Sequence, residues 1–387
     1  MIEIIKIERK RILNARIFLV FLLIVTLFSA YSTYSVLQNY NIPGSTGIAV
    51  KWRDNLNHAK TNLQGEQIDR ELLSLMRERE GDFAYVDERN LVELVGANYD
   101  GRSIRDLSDE DVSNFYLRRL SNIRTMLEEN QRIRYTQEEI ERFMQRAGQI
   151  SGIEFGYAEG WKMLNNGMDV FVPLLLILIS VLLLPLFGID PKSNMKELYR
   201  STKNGKVPLD HARILTAYVT GAFLYLSGII LFFIIKMVPF GLEGWNQCIQ
   251  SSVKTFFSLY NITYLQQFLL NVVVGLIALL FAVSFLLLVT VIMEKIMTSA
   301  VVFVFFWILL LLFDQMYLWP VNHYFGNFMP LRMTTFSHYY VGNEIYRIFG
   351  SSLSCMVWSM MLSGMIAGIM LVSAIGWEKI KRKRGLY

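Results

Sequence analysis

Phe268–Met293 reads FLLNVVVGLIALLFAVSFLLLVTVIM, a run with no Asp, Glu, Lys or Arg. A helix needs about 20 mostly apolar residues to cross the hydrocarbon of a bilayer, and no water is present there to satisfy unpaired peptide groups. A run of this kind is therefore forced into a helix. Five more stretches meet the same criterion: Ile17–Val36, Val170–Ile189, Ile214–Ile235, Ala300–Leu318 and Leu353–Ile375. The expected fold class is an all-α integral membrane protein with six transmembrane helices.

The spacing of the spans divides the chain. Residues 1–36 hold a short Ile-rich segment suited to an interfacial helix and then the first span. That span is too long for a signal-peptide core and lacks a small-residue cleavage site, so it reads as a retained anchor. Residues 37–166 are charged, with Leu and Gln at helical spacing, and are expected to form an inserted helical domain. Ser108 with Asp111 and Thr136 with Glu139 resemble capping boxes opening helices at about 109–130 and 137–147. Asn41-Ile-Pro-Gly-Ser and Asn98-Tyr-Asp-Gly read as breaks. Leu72, Leu73, Leu75, Met76, Phe115, Leu117, Leu120, Ile123 and Leu127 are the expected core of this domain. Residues 167–387 carry the other five spans, with a basic connection at 190–213 and an aromatic, nearly uncharged hairpin at 319–352.

Lys and Arg collect on the cytoplasmic side of membrane proteins. The N-terminus has five basic residues to two acidic, segment 190–213 six to three, and the tail after Gly376 five to one. Six spans place all three on one side, so the expectation is a multi-pass protein of a bacterial plasma membrane with both termini cytoplasmic and 37–166 extracellular. The stretch 37–165 has 17 basic and 22 acidic residues, so the net +5 of the whole chain hides an acidic exterior. The basic patches read as topology signals that meet anionic membrane lipids, and a nucleic-acid partner is excluded.

Catalysis finds little support. No His-Glu-x-x-His, Gly-x-Ser-x-Gly or Cys-x-x-Cys occurs, and His58, His211, His323 and His338 are scattered, so neither a catalytic set nor a metal set is expected. Ser251 and Lys254 match Ser-x-x-Lys, a spacing that chance supplies easily. Cys248 and Cys355 read either as a disulfide or as two lone thiols. Ion coupling calls for ionisable groups inside the spans, and only Asp314 comes close, near the outer end of span five, with Gln315 and Tyr317 or water as its expected partners. Arg16, Asp169 and Lys236 sit at span edges and are expected to snorkel. Gly205-Lys206 is followed by Val207 and lacks the first glycine of a phosphate-binding loop, so any ATP hydrolysis belongs to another chain.

Phe187–Ile214 reads FGIDPKSNMKELYRSTKNGKVPLDHARI. This resembles the membrane subunit of an ABC transporter of the ABC type-2, or type V exporter, family. There, a Phe-x-x-Glu end of span two leads through a short amphipathic helix and Ser/Thr-x-x-Gly-Arg/Lys to an Ala-Lys/Arg start of span three. Phe187, Ser201-Thr202, Gly205-Lys206 and Ala212-Arg213 match, and Asp190 stands for the Glu. Gly160-Trp161, Thr263-Tyr264-Leu265-Gln266 and Asn327–Pro330 agree more loosely.

The resemblance implies a coupling helix at Asn194–Thr202 that docks on a separate ABC ATPase dimer. Met195, Leu198 and Tyr199 would be buried there, Lys196, Glu197 and Arg200 would form its rim, and Asp190, Thr202 and Lys206 would flank it. It implies ATP and Mg on that partner and no cofactor on this chain. It also implies a second copy of this chain or a homologous permease, and outer helices around Pro330, Tyr339 and Tyr340 that close the pathway. The expected function is ATP-driven efflux of an amphipathic substrate, for which an antimicrobial peptide suits the acidic domain. The alternative is a membrane-anchored sensor whose domain binds a peptide and signals to a cytoplasmic partner.

Overall fold

A computed structural model describes residues 6, 8–10, 13–40, 42–62, 65–187, 207–293, 295–316, 318–348 and 350–383. Among the described residues six helices are long and apolar enough to cross a membrane: α1 (Ala15–Gln38), α8 (Glu159–Phe187), α9 (Val207–Phe240), α10 (Tyr264–Met293), α11 (Ile296–Gln315) and α15 (Cys355–Lys383). Between α1 and α8 lie α2 (Ile48–Asn62), α3 (Arg70–Glu78), α4 (Val86–Asn98), α5 (Asp109–Ser113), α6 (Phe115–Glu128) and α7 (Gln137–Gly148). Three short helices, α12 (Trp319–Tyr324), α13 (Pro330–Met333) and α14 (Ser337–Val341), separate α11 from α15. The fold is helical as expected, with two small antiparallel pairs that alternation did not announce. β1 (Glu66–Gln67) pairs with β2 (Glu154–Phe155), closing the inserted domain at its base. β3 (Ile345–Ile348) pairs with β4 (Ser351–Ser354) as a hairpin leading into α15.

The most apolar helix is the middle of the bundle. α10 packs on α8, α9, α11 and, most extensively, α15, while α9 also packs on α8 and α1. In hydrocarbon the hydrophobic effect does not drive helices together, so close packing and hydrogen bonds must do so. Glycines permit the approach. A Cβ on Gly275 of α10 would lie 2.1 Å from the Tyr225 hydroxyl of α9, and one on Gly228 of α9 would lie 2.9 Å from Leu175 of α8. The Tyr225 hydroxyl in turn donates to the Val272 carbonyl at 3.1 Å, filling the space that Gly275 leaves. α1 and α11 bury only narrow stripes, Phe21, Val25, Ser29 and Thr33 in one and Ser299, Phe303 and Trp307 in the other. Their remaining faces are apolar and exposed.

The inserted domain follows its local signals. Ser108 and Asp111 exchange the two bonds of a capping box, as do Thr136 and Glu139. The first box opens α5, but the helix stops at Asn114 and restarts as α6, so the expected single helix is two. Asp100 and Gly101 take φ of 54° and 84°, the left-handed turn that Asn98-Tyr-Asp-Gly suggested. Leu72, Leu73, Met76, Phe115, Ile123 and Leu127 are buried; Leu75 and Leu117, expected in the core, lie exposed on the opposite helix faces.

One expectation about charges is corrected. Lys236 does not snorkel: it is 1% exposed, its ammonium donates to Ser32 Oγ of α1 at 3.0 Å and it lies over the Phe232 ring. Asp169 lies within α8, which begins at Glu159, whose Oε1 accepts from both Asn90 and Lys162. Cys248 and Cys355 are both free thiols.

Gly275→Ala should destabilise the bundle by about 1–3 kcal/mol through overpacking, read as a lower thermal midpoint in detergent. The same change should cost less in a Tyr225→Phe chain, where the obstructing hydroxyl is gone. Equal costs in both backgrounds would contradict this α9–α10 contact.

Candidate functional site at the domain end of the bundle

Connections 241–263 and 316–354 emerge at the end of the bundle that carries the inserted domain, and both fold back onto the spans. In the first, Arg119 of α6 is fully buried and donates from Nε to the Phe256 carbonyl at 2.9 Å and from Nη2 to the Ser258 carbonyl at 3.3 Å. Burial lowers its pKa to about 10, which leaves it charged at neutral pH. Gln250 Nε2 reaches the Tyr260 carbonyl at 2.7 Å, and the Tyr260 ring packs edge-on against Tyr340.

The second connection forms a plug. Prolines at the first turns of α12 and α13 start these helices where a missing N–H costs nothing. Pro330, Leu331, Met333, Phe336, Tyr339 and Tyr340 turn inward and join the bundle core. Three polar groups of the spans hold this plug. Asn271 of α10 accepts from the Tyr340 hydroxyl at 2.8 Å and donates to Asn165 of α8 at 3.3 Å. Asp169 of α8 accepts the Ser337 N–H at 3.2 Å and faces Lys254 at 3.5 Å. Asp314 of α11 pairs with Arg332 at 3.0 Å. Asp314 thus has a formal cation as its partner, supplied from 18 residues along the chain.

Glu344 closes the plug onto β3. Its carboxylate accepts from Trp319 Nε1 at 3.2 Å and Asn327 Nδ2 at 2.7 Å. Burial opposes its ionisation, yet His323 and Asn327 hold the carboxyl down at about 2. The inserted domain is then clipped to the hairpin. Arg347 of β3 donates to both oxygens of Glu139, at 2.9 and 2.7 Å, and Tyr135 donates to the Asn343 carbonyl at 2.9 Å. One carboxylate therefore both caps α7 and binds the hairpin, and the Arg347 bonds bring it down to about 2.

Among the described residues no three His, Cys, Asp or Glu side chains gather as a metal set. Ser251 bonds the Tyr264 hydroxyl and Lys254 bonds Asn166, so the Ser-x-x-Lys spacing does not make a catalytic pair. The expected ATPase-coupling residues Asp190, Met195, Lys196, Glu197, Leu198, Tyr199, Arg200, Thr202 and Lys206 lie outside the described residues, as does Tyr317. Of the expected gate residues, Pro330, Tyr339 and Tyr340 come together in the plug. Arg332, Glu344 and Asn271 escaped the sequence reading, although each is a polar residue set in a largely apolar or aromatic stretch, the signal that marked Asp314. No family model, curated protein or solved structure matches the chain.

The clip should respond to acid. A carboxyl held below its ordinary value of about 4.5 contributes in full above that value and loses its contribution as pH falls toward about 2. Once the intrinsic rates, which themselves fall with pH over this range, are divided out, amide protection in α7 should therefore decline between about pH 4.5 and 2. Arg347→Gln should raise exchange at neutral pH and flatten this dependence; an unchanged pH profile would contradict the clip.

Proposed function

We propose that this chain is the membrane subunit of an ATP-driven exporter of the ABC type-2 class. The observation that carries this reading is the plug: segment 319–341 does not stand out as a loop but packs as short helices across one end of the bundle, tied to α8, α10 and α11 by Asp169, Asn271 and Asp314. An exit gate requires such an element, closed at rest and attached to the helices that move.

In this reading the domain end faces the cell exterior and both termini face the cytoplasm. The motif series from Phe187 to Arg213 supports the rest of the machine. A separate ATPase dimer carrying ATP and Mg docks on Asn194–Thr202, and its closure is transmitted through α8 and α9. A second copy or a homologous permease covers part of the exposed apolar faces of α1 and α11, with lipid on the remainder. The acidic inserted domain favours amphipathic or cationic cargo, a membrane-active peptide above all. The sensor reading has one observation in its favour, the Glu139–Arg347 clip, which would carry a state of the domain into the bundle. Six spans exceed what such a relay needs.

The test is co-purification in mild detergent with ATPases encoded beside this chain. The native chain should retain an ATPase, and Leu198→Asp and Arg200→Glu should release it by about tenfold or more, as loss of a central contact does. Absence of any ATPase under all conditions would overturn the exporter reading and favour the sensor.

A further inference from the structure

His58 of α2 sits between two buried carboxylates at the start of α4. Its Nδ1 lies 3.4 Å from Asp87 Oδ2 and its Nε2 lies 3.2 Å from Glu88 Oε1, while its ring stacks on Tyr85 with centroids 3.6 Å apart. Asp87 is 1% exposed and Glu88 is fully buried. Arg79, which follows α3, pairs with Glu88 Oε1, and burial raises the pKa of Asp87. The other charged groups around this joint have engagements of their own. Lys60 of α2 pairs with Glu243 at 2.6 Å, and Asp54 of α2 accepts from Ser45 at 3.0 Å. Arg89 of α4 bonds the Phe83 carbonyl at 3.0 Å, and Glu159 of α8 accepts from Asn90 and Lys162. Tyr157, which the Asp87 charge reaches, is held well above the ordinary tyrosine range by burial.

A neutral imidazole has one N–H and one lone pair. Set between two ionised carboxylates, it donates to one and turns its lone pair on the other, whichever tautomer it takes. Two buried acceptors that face each other are costly. One further proton removes the conflict. On His58 it makes an imidazolium that donates from both nitrogens; on Asp87 it makes a carboxyl that donates to Nδ1 while the Nε2–H faces Glu88. Either way Arg79, His58, Asp87 and Glu88 together are neutral, whereas without that proton they bury one uncompensated negative charge. The cluster also stands at a joint. The Val86 N–H of α4 donates to Asn55 of α2 at 2.9 Å, and Trp52, Ala59, Val86, Tyr157 and Phe240, the last residue of α9, share one small core. We propose that His58, Asp87 and Glu88 form a proton-binding site whose proton fastens α2, the element packed on α1 and α9, to the remainder of the inserted domain.

The proposal goes beyond the exporter reading and needs neither an ATPase nor a cargo. An exposed imidazole loses its proton near about pH 6.5 and an exposed carboxyl near about 4. Above about pH 6.5 the opened joint therefore binds no proton here while the closed joint binds one, so closure weakens as pH rises. This is the opposite direction from the Glu139–Arg347 clip. One proton changes the opening equilibrium by at most about tenfold per pH unit. The test is hydrogen exchange of the full chain in lipid nanodiscs between about pH 6 and 9, with the intrinsic rates divided out and α7 as the internal reference. Protection in α2 and α4 should fall by about tenfold or more across this range while that of α7 stays level. Asp87→Asn gives His58 Nδ1 a permanent hydrogen and should flatten the fall. His58→Gln should flatten it too, from a lower starting protection. A level profile in α2 and α4 of the native chain would overturn the proposal, as would an equal fall in α7 or a fall that persists undiminished in either variant.

Discussion

An unpaired peptide or polar group inside hydrocarbon costs several kcal/mol, and the rest of this structure depends on how the chain avoids that cost. The backbone solution is six helices with α10 at their centre. The side-chain solution is segregation: Asn165, Asp169, Asn271 and Asp314 all lie toward the domain end, where each finds a partner. Ser29, Thr33, Ser180, Thr216 and Thr290, deeper in the spans, return their hydroxyls to carbonyls of their own helices. Polar chemistry is thereby concentrated at one end, and the plug forms there because its own donors, Tyr340, Arg332 and the Ser337 N–H, complete it.

The inserted domain reaches the bundle by two routes of different character. Arg119 binds carbonyls of 256–258 inside a buried contact, which makes that connection a fixed foot. Glu139–Arg347 is half open to solvent on the arginine side, and exposed ion pairs contribute little to stability. The hairpin contact is accordingly the more readily released of the two. A domain anchored at one point and clipped at another is suited to alter the plug without detaching.

Features governed by local chemistry were legible in the sequence. The spans follow from the apolar runs, the starts of α5 and α7 from Ser108-x-x-Asp and Thr136-x-x-Glu, and the turn at Asp100-Gly101 from its need for positive φ. What the sequence hid was set by partners distant along the chain. Lys236 near the end of an apolar run looks able to reach water, and only the packing of α1 over it, with Ser32 as acceptor, shows that it does not. Asp314 had its salt-bridge partner in Arg332, inside an aromatic stretch that composition alone assigns to the interface. The β3–β4 hairpin lacks an alternating pattern because one strand packs on the bundle while the other, Ser351–Ser354, is short and polar. The candidate site was readable as far as Tyr339 and Tyr340; Arg332, which pairs with Asp314, and Glu344, which accepts from Trp319 and Asn327, were not, since neither belongs to a motif.

If the chain is the proposed exporter subunit, α8 crosses a membrane from the inserted helices outside to the basic segment 190–206 inside. Single cysteines at Glu110 and Lys203, in a chain whose Cys248 and Cys355 are serine, allow both sides to be probed in intact cells with a membrane-impermeant maleimide. The account predicts labelling of Glu110→Cys at once and of Lys203→Cys only after permeabilisation. Labelling of both positions in intact cells, or of Lys203→Cys alone, would contradict it.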